Sequence, residues 1–411
     1  MKNIMAGALP GKLLTAGLFG AGIILVASGL LSENSFAQLA GRTVPILLFV
    51  AAMTVVTDLA ESAGVFKVVT AKLARGRQRV PRSDPQGEKA AAPSQRILLL
   101  WLLVVALATV STIFLSLDTT AVLVTPVVVS LAKHARIHPL PFALTTVWLA
   151  NTASLLLPVS NLTNLLAQHR LNISPAQFAE LMWAPALVGV AVPVAFLFLI
   201  FRKQFRGRFV PPAVPAVTDK ALLLLSGITL AALLPALVSG MPVWIPASFA
   251  AAFLLVVFLV RQRAALRWSM LPIQPLLLAM GLFLVVATLQ DHGLAEAFSR
   301  FAGTGDGLAS LLQIAGVGAV AANGVNNLPG YLALEPLANS PLRLAALLIG
   351  VNFGPLVSPW ASLATLLWHS RLKALGITIS WRGYALAGLC LVVVLIPSSI
   401  VALWWAAGMP A

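Results

Sequence analysis

The sequence predicts an all-α polytopic membrane protein of two inverted repeats, each carrying a re-entrant hairpin and a broken transmembrane helix. Three observations predict it: the hydropathy, the placement of the basic residues, and a match of the chain with itself. Of 411 residues, 59% are hydrophobic and 9% charged, whereas a soluble domain carries about a quarter charged residues. Apolar runs of about 18 residues or more recur along the chain, each able to cross a hydrocarbon core roughly 30 Å thick. The lipid bilayer is therefore its solvent.

About nine full spans are read, at 12–31, 43–66, 140–167, 179–204, 221–240, 243–261, 268–290, 342–369 and 383–407. Met1 to Gly11 leads into the first run with no small-residue cleavage site, so that run is read as a retained span. The net charge of +15 does not indicate a nucleic-acid partner, because the basic residues lie in short loops between apolar runs, where they fix orientation. The single cysteine, Cys390, excludes a disulfide framework and a Cys-based metal cage.

Two further apolar stretches, 97–132 and 306–337, behave differently. Lys67 to Arg96 is a polar linker rich in Lys and Arg, and Lys133 to His138 is basic again. If both are cytoplasmic, 97–132 enters and leaves on one side. Its arms of about 16–20 residues reach most of the way across at about 1.5 Å per residue. The second stretch, with weakly charged flanks, enters from outside. In this arrangement all 27 Lys and Arg except Arg42, Arg170, Arg300 and Arg343 are cytoplasmic. The N-terminus is then cytoplasmic and the C-terminus external. Two ordinary helices with loosely placed loops are the alternative.

The internal match supports the hairpins. An offset of 201 lays Leu149–Leu166 on Gly350–Leu367 without gaps, pairing Asn151 with Asn352 and Pro158 with Pro359. An offset of 210 lays Ser116-Leu117-Asp118 on Asn326-Asn327-Leu328 and Pro126 on Pro336. A weaker match pairs Leu59–Gly64 with Thr288–Gly293. The chain thus divides into a first repeat (1–204), a cytoplasmic linker (205–220) and a second repeat (221–411). Inverted repeats with paired interrupted helices mark secondary transporters, with the site near the midplane. Non-helical backbone at that depth survives only where protein or a water-filled cavity satisfies its polar groups.

Asp118 is the sharpest single signal, because a carboxylate at membrane depth is costly and functional by default. Desolvation there lets it take up and release a proton. The competing reading is an N-cap for the hairpin's second arm, followed by Thr119 and Thr120. Asn326 and Asn327 sit at the other tip, where turn chemistry before Pro329 is the plain alternative. Asn151, Thr152, Ser154, Ser160, Asn161, Thr163 and Asn164 give one broken helix a dense polar face, and Asn352, Ser358, Ser362 and Thr365 do so in its partner. Interhelical hydrogen bonding accounts for some of these. Glu61 and Glu335 are secondary proton candidates, while Asp58 and Asp291 read as membrane-edge charges. No metal site or cofactor is expected, since the five histidines do not cluster. Phosphate-loop, zinc-protease and serine-elbow motifs are absent from the sequence, so the chain does not read as an enzyme.

Several of these stretches resemble the arsenite efflux permeases of the ion-transporter superfamily. Ala150 to Leu155 with Ser160 to Asn164 is similar to that family's first broken helix, and Asp118 through Pro126 (DTTAVLVTP) to its first hairpin. Gly354-Pro355 through Ser362 to Trp368, followed by Ile379-Ser380-Trp381, is the most specific match. Asn326 to Pro329 and Glu61 to Phe66 agree in position. The resemblance implies proton-coupled or uniport export of arsenite and antimonite across the cytoplasmic membrane, assisted in some members by a separate ATPase subunit. Asp118, Thr119, Asn151, Thr152, Ser154, Ser160, Asn161, Asn326, Asn327, Asn352, Ser358, Ser362 and Thr365 are the expected substrate contacts. Two departures stand out. The family usually has Asn where this chain has Leu117, and Asp where it has Asn151. A carboxylate or divalent-anion symporter, a sodium/proton antiporter, and a membrane-embedded enzyme or receptor are the competing readings.

Overall fold

The structure, a computed structural model, describes residues 2–75, 95–211 and 217–410, without the side chains of residues 2–12 and 73–75. The middle of the predicted 67–96 linker and part of the 205–220 linker lie outside the described residues. Among the described residues, eight helices are long and apolar enough to cross a membrane. Two of them, 97–115 and 308–325, are the first arms of the predicted hairpins, and the other six fall on predicted full spans.

The chain begins with α1 (Lys2–Ala27), α2 (Glu33–Ser62) and α3 (Val65–Arg75). Helix α2 starts ten residues earlier than hydropathy suggests, because Ser32 caps it by accepting from Ser35 N (3.1 Å) and so turns a polar segment helical. A two-residue strand β1 (Gln95–Arg96) then leads into α4 (Ile97–Leu115), α5 (Leu117–Thr119), a π turn (Thr120–Val124) and α6 (Thr125–His134). The first broken helix comprises α7 (Leu140–Thr152), two 3-10 turns and α8 (Leu162–Leu171). Helix α9 (Pro175–Phe201) opens on a Ser174–Gln177 capping box. Strand β2 (Arg208–Phe209) pairs antiparallel with β1, which sets the hairpin entrance beside the end of α9.

The second part begins with α10 (Lys220–Val238), α11 (Trp244–Arg261), α12 (Ile273–Asp291) and α13 (Leu294–Ala302). Its hairpin is α14 (Leu308–Val325) and α15 (Asn327–Leu334), closed by a 3-10 turn (Glu335–Leu337). The second broken helix runs from α16 (Pro341–Phe353) through two 3-10 turns to α17 (Leu363–Ala374), and α18 (Trp381–Ala406) ends the described chain. Helices α1, α2, α10, α11 and α12 pack as one group, α1 against α12 and α2 against α11. The remaining long helices form a second group around the α14–α16 and α9–α18 pairs.

The positions matched in the sequence carry the same backbone anomalies. Ser116 and Asn326, at the hairpin tips, have φ/ψ of 114°/160° and 123°/158°, values that a non-glycine residue rarely adopts. Gly64 and Gly293, ahead of α3 and α13, have φ of 85° and 90°. In the broken helices, Leu157 and Ser358 are extended (φ −121° and −106°), as are Asn161 and Ser362 (φ −152° and −136°). Short helices brace the hairpins alike: α3 touches α4 and α6, and α13 touches α14 and α15. A glycine of the following helix presses on each break. A Cβ on Gly189 would lie 2.8 Å from the Thr152 carbonyl oxygen, and one on Gly388 would lie 1.9 Å from that of Leu356. Larger residues are excluded at both.

Candidate functional site

The hairpins and broken helices cross-pack. The second arm of the first hairpin, α5 with the π turn, lies against α17, while α15 lies against α8. Each hairpin therefore meets the far segment of the other part's broken helix.

At the first tip, the N-cap of the second arm is Ser116, whose Oγ accepts from Thr119 N (3.3 Å) and lies 3.1 Å from Thr119 Oγ1. Asp118 is thus not needed as the cap. It makes no hydrogen bond or ion pair among the described residues, and its side chain is exposed while Leu117 and Thr119 are buried. Its exposed carboxylate points away from the packed interior that holds its neighbours. Behind it a run of buried hydroxyls fixes the arms: Thr112 donates to Thr120 (2.9 Å), Thr120 to Ser111 (3.0 Å) and Thr125 to Thr146 (2.8 Å). Ser160 Oγ, from the broken helix, donates to the Ile113 carbonyl (2.7 Å).

At the second tip, Asn326 caps α15 through Leu328 N (3.4 Å), and its Nδ2 donates to the Trp360 carbonyl (2.9 Å). Asn327 is buried at the start of α15. The strongest link is Asn323, a residue that sequence reasoning passed over. Its Nδ2 donates to the Ala319 and Gly354 carbonyls (2.9 and 2.8 Å), and its Oδ1 accepts from Ser358 N and Oγ (3.0 and 2.7 Å). Its carbonyl accepts from Trp360 Nε1 (2.7 Å). An amide inside an otherwise apolar first arm was the available signal. Ser358 is thereby tied to the hairpin.

Asn352, on α16, reaches across to α8. Its Oδ1 accepts from Asn161 Nδ2 (2.9 Å) and Thr163 Oγ1 (3.0 Å), and its Nδ2 donates to Asn164 Oδ1 (3.0 Å). Asn164 Nδ2 in turn donates to the Ser154 carbonyl (2.7 Å), holding the break. Asn151 Nδ2 stays on its own helix at the Val147 carbonyl (2.9 Å), and Ser154 Oγ donates to the Asn151 carbonyl (2.8 Å). Thr152 Oγ1 and Ser362 Oγ are buried without a hydrogen-bond partner, and Thr365 faces the buried Tyr384 hydroxyl of α18.

Glu335 is committed rather than free. It is buried, pairs with Arg42 of α2 through both carboxylate oxygens (Nη1 to Oε2, 2.9 Å) and accepts from the Tyr331 hydroxyl (2.8 Å). Arg42 Nη2 also donates to the Leu166 carbonyl (2.9 Å). Glu61 is half-buried at the far end of α2, within electrostatic reach of Asp58. Arg343, which is buried, spends its guanidinium on the Ala302, Gly303 and Gly305 carbonyls (2.9, 2.8 and 3.0 Å). Neither arginine is free to hold an anion. No group of His, Cys, Asp and Glu able to hold a metal occurs among the described residues.

Comparison with known proteins agrees with this architecture. The citrate transporter family profile matches residues 5–341. The arsenical pump membrane proteins of Escherichia coli K12 and Shigella flexneri are each 28% identical over 320 residues, covering 72% of this chain and 74% of theirs. The crystal structure of the YdaH transporter of Alcanivorax borkumensis, described as having an unusual topology, superposes with a TM-score of 0.56 over 98% of both chains at 16% identity. That likeness concerns the fold alone.

Proposed function

Since the chain belongs to the citrate transporter family and is a multi-pass membrane transporter, we propose that it exports trivalent arsenite and antimonite across the cytoplasmic membrane in exchange for protons. The observation that carries the reading is Asp118, a carboxylate at a hairpin tip that, among the described residues, neither caps a helix nor pairs with a cation. Arsenite at neutral pH is a small uncharged hydroxide, which Asn, Ser and Thr groups bind without a positive charge. A proton moving through Asp118 supplies the coupling. The names of the curated relatives favour this cargo.

In the same proposal the two parts are inverted repeats, with the N-terminus cytoplasmic, the C-terminus external and the hairpins entering from opposite sides. The matched tip and break geometries support it. An ATPase subunit is a further candidate partner.

The family description itself favours a second reading, a carboxylate symporter. The free Asp118 and the committed Arg42 and Arg343 speak against it, because a polyanion in a low-dielectric site needs an unspent cation. The test is expression in an efflux-deficient cell with measurement of arsenite accumulation. Unchanged accumulation despite good membrane expression would sink the export reading. Citrate-dependent uptake in the same vesicles would install the second.

A further inference from the structure

Helix α2 meets the second helix group with a positive charge near its start and a negative one near its end. Near the start, Arg42 leaves the first group and pairs with Glu335 of the second hairpin stem through both carboxylate oxygens (Nη1 to Oε2, 2.9 Å). Its Nη2 also donates to the Leu166 carbonyl of α8 (2.9 Å), and the Tyr331 hydroxyl donates to the same carboxylate (2.8 Å). On the same stem, the Leu332 carbonyl accepts from Gln290 of α12. Asp58 stands about 24 Å further along α2, at about 1.5 Å per residue. It lies within electrostatic reach of Glu61 on its own helix and of Arg371 on α17, which packs with the second group. Asp58 and Glu61 are half-buried and Arg371 is exposed. Among the described residues none of the three forms an ion pair. One end of α2 is thus tied to the second group, and the other end is charged for a tie that is not made.

Neither end is arranged for stability alone. A buried ion pair gains little over apolar packing, and its best-attested use is to fix a register or a switch. Asp58 and Glu61, one helical turn apart, repel each other, and the cation that would neutralise them is carried by the other group. A transporter moves one part of its fold against another to open its site to each side in turn. We infer that α2 is a two-position latch between the helix groups. The structure holds the position in which Arg42 is paired with Glu335. In the other position that pair parts, and Arg371 pairs with Asp58 and Glu61. One ion pair replaces another, so the positions stay close in energy, and the charges select between two discrete packings. A single guanidinium holds both the hairpin stem and α8, so the two are released together. The latch requires a transporter but no particular cargo.

The test measures distances in the full-length chain in nanodiscs by pulsed electron paramagnetic resonance, with Cys390→Ser removing the native thiol. Nitroxides at Gln38→Cys and Asn339→Cys report on the Arg42 end, and those at Ser62→Cys and Ser370→Cys on the Asp58 end. All four positions are exposed. Arg42→Met with Glu335→Met removes the pair without stranding either charge. It is expected to raise the population of the second position about tenfold or more. The signature is a longer distance at the Arg42 end together with a shorter one at the Asp58 end. Glu335→Gln, which keeps a partner for Tyr331, should give a smaller shift of the same kind. Adding Arg371→Gln to the double change should reverse the shift. Unchanged distances in both variants overturn the inference. Lengthening at both ends overturns it too, because that is loosening rather than exchange, as does a shift that Arg371→Gln fails to reverse. No solute enters the measurement, so the export reading stands or falls separately.

Discussion

The two hairpins share a fold and differ in what their tips are free to do. The first presents an acid with no partner, Asp118, and capping is delegated to Ser116. The second presents amides that are spent on structure: Asn326 on Trp360, and Asn323 on Gly354 and Ser358. Its stem is also bound to the other helix group, through Arg42–Glu335 and through Gln290 donating to the Leu332 carbonyl. The lesson is that matched backbone does not imply matched chemistry. One hairpin keeps a costly group unsatisfied, which stability alone does not explain, and the other uses its polar groups as ties.

The largest effect should come from breaking this contrast at Asp118. Asp118→Asn keeps the shape and removes the titrating group, so proton-driven transport in vesicles under an imposed pH gradient should fall to that of empty vesicles, with normal folding. Undiminished gradient-driven transport would remove Asp118 from the coupling role. An acid placed at the other tip, Asn327→Asp, should not rescue it, because that residue is buried.

Next in size is the stem tie. Arg42→Ala leaves Glu335 buried and unpaired, with only Tyr331 as a donor, and should cost about 3–5 kcal/mol. Arg42→Met with Glu335→Met should recover much of that stability, measured by thermal unfolding in detergent. If the single change proves harmless, water reaches Glu335, and it returns as a proton site.

Asn323→Ala should cost about 2–3 kcal/mol, because it strands Ser358 N and the Gly354 carbonyl. Its counterpart at the offset of 210 is Ile113, where Ile113→Ala should cost only the packing of a half-buried side chain. Comparable losses at both positions would mean that the hairpins are held alike.

How much of this could be read beforehand follows from the range of each interaction. The tips and breaks were legible because Asn, Ser and Pro at fixed offsets interrupt apolar runs, which is a local signal. Asp118 was legible for the same reason, as one charge amid leucines. The role of Asn352 was not. An amide at a break reads identically whether it faces a solute or Asn161, 191 residues away. Arg42 and Glu335 are 293 positions apart, so Glu335 reads as a free acid until the fold supplies its partner. Asn323 was hidden by its apolar neighbours, although an amide at that depth must be satisfied by something.

The smallest effect belongs to an ion pair outside both hairpins, which calibrates the others. Asp219 caps α10 through Leu222 N (2.9 Å) and accepts from Arg261 Nε and Nη2 (2.8 and 3.0 Å) at the end of α11. The hydrogen bond from Arg261, and then that from the Leu222 backbone, hold its carboxyl below the usual value of 3.8. A carboxyl depressed in the folded state adds stability above its unfolded value, and that contribution is lost as pH falls through the folded one. Arg261→Gln should therefore lower the midpoint slightly and evenly between about pH 5 and 8, and flatten the decline below about pH 4. Because the pair is exposed, added salt should erase most of the difference near neutral pH. A loss as large as that from Arg42→Ala would show that the α10–α11 end is buried in the working protein, against a partner or a second copy.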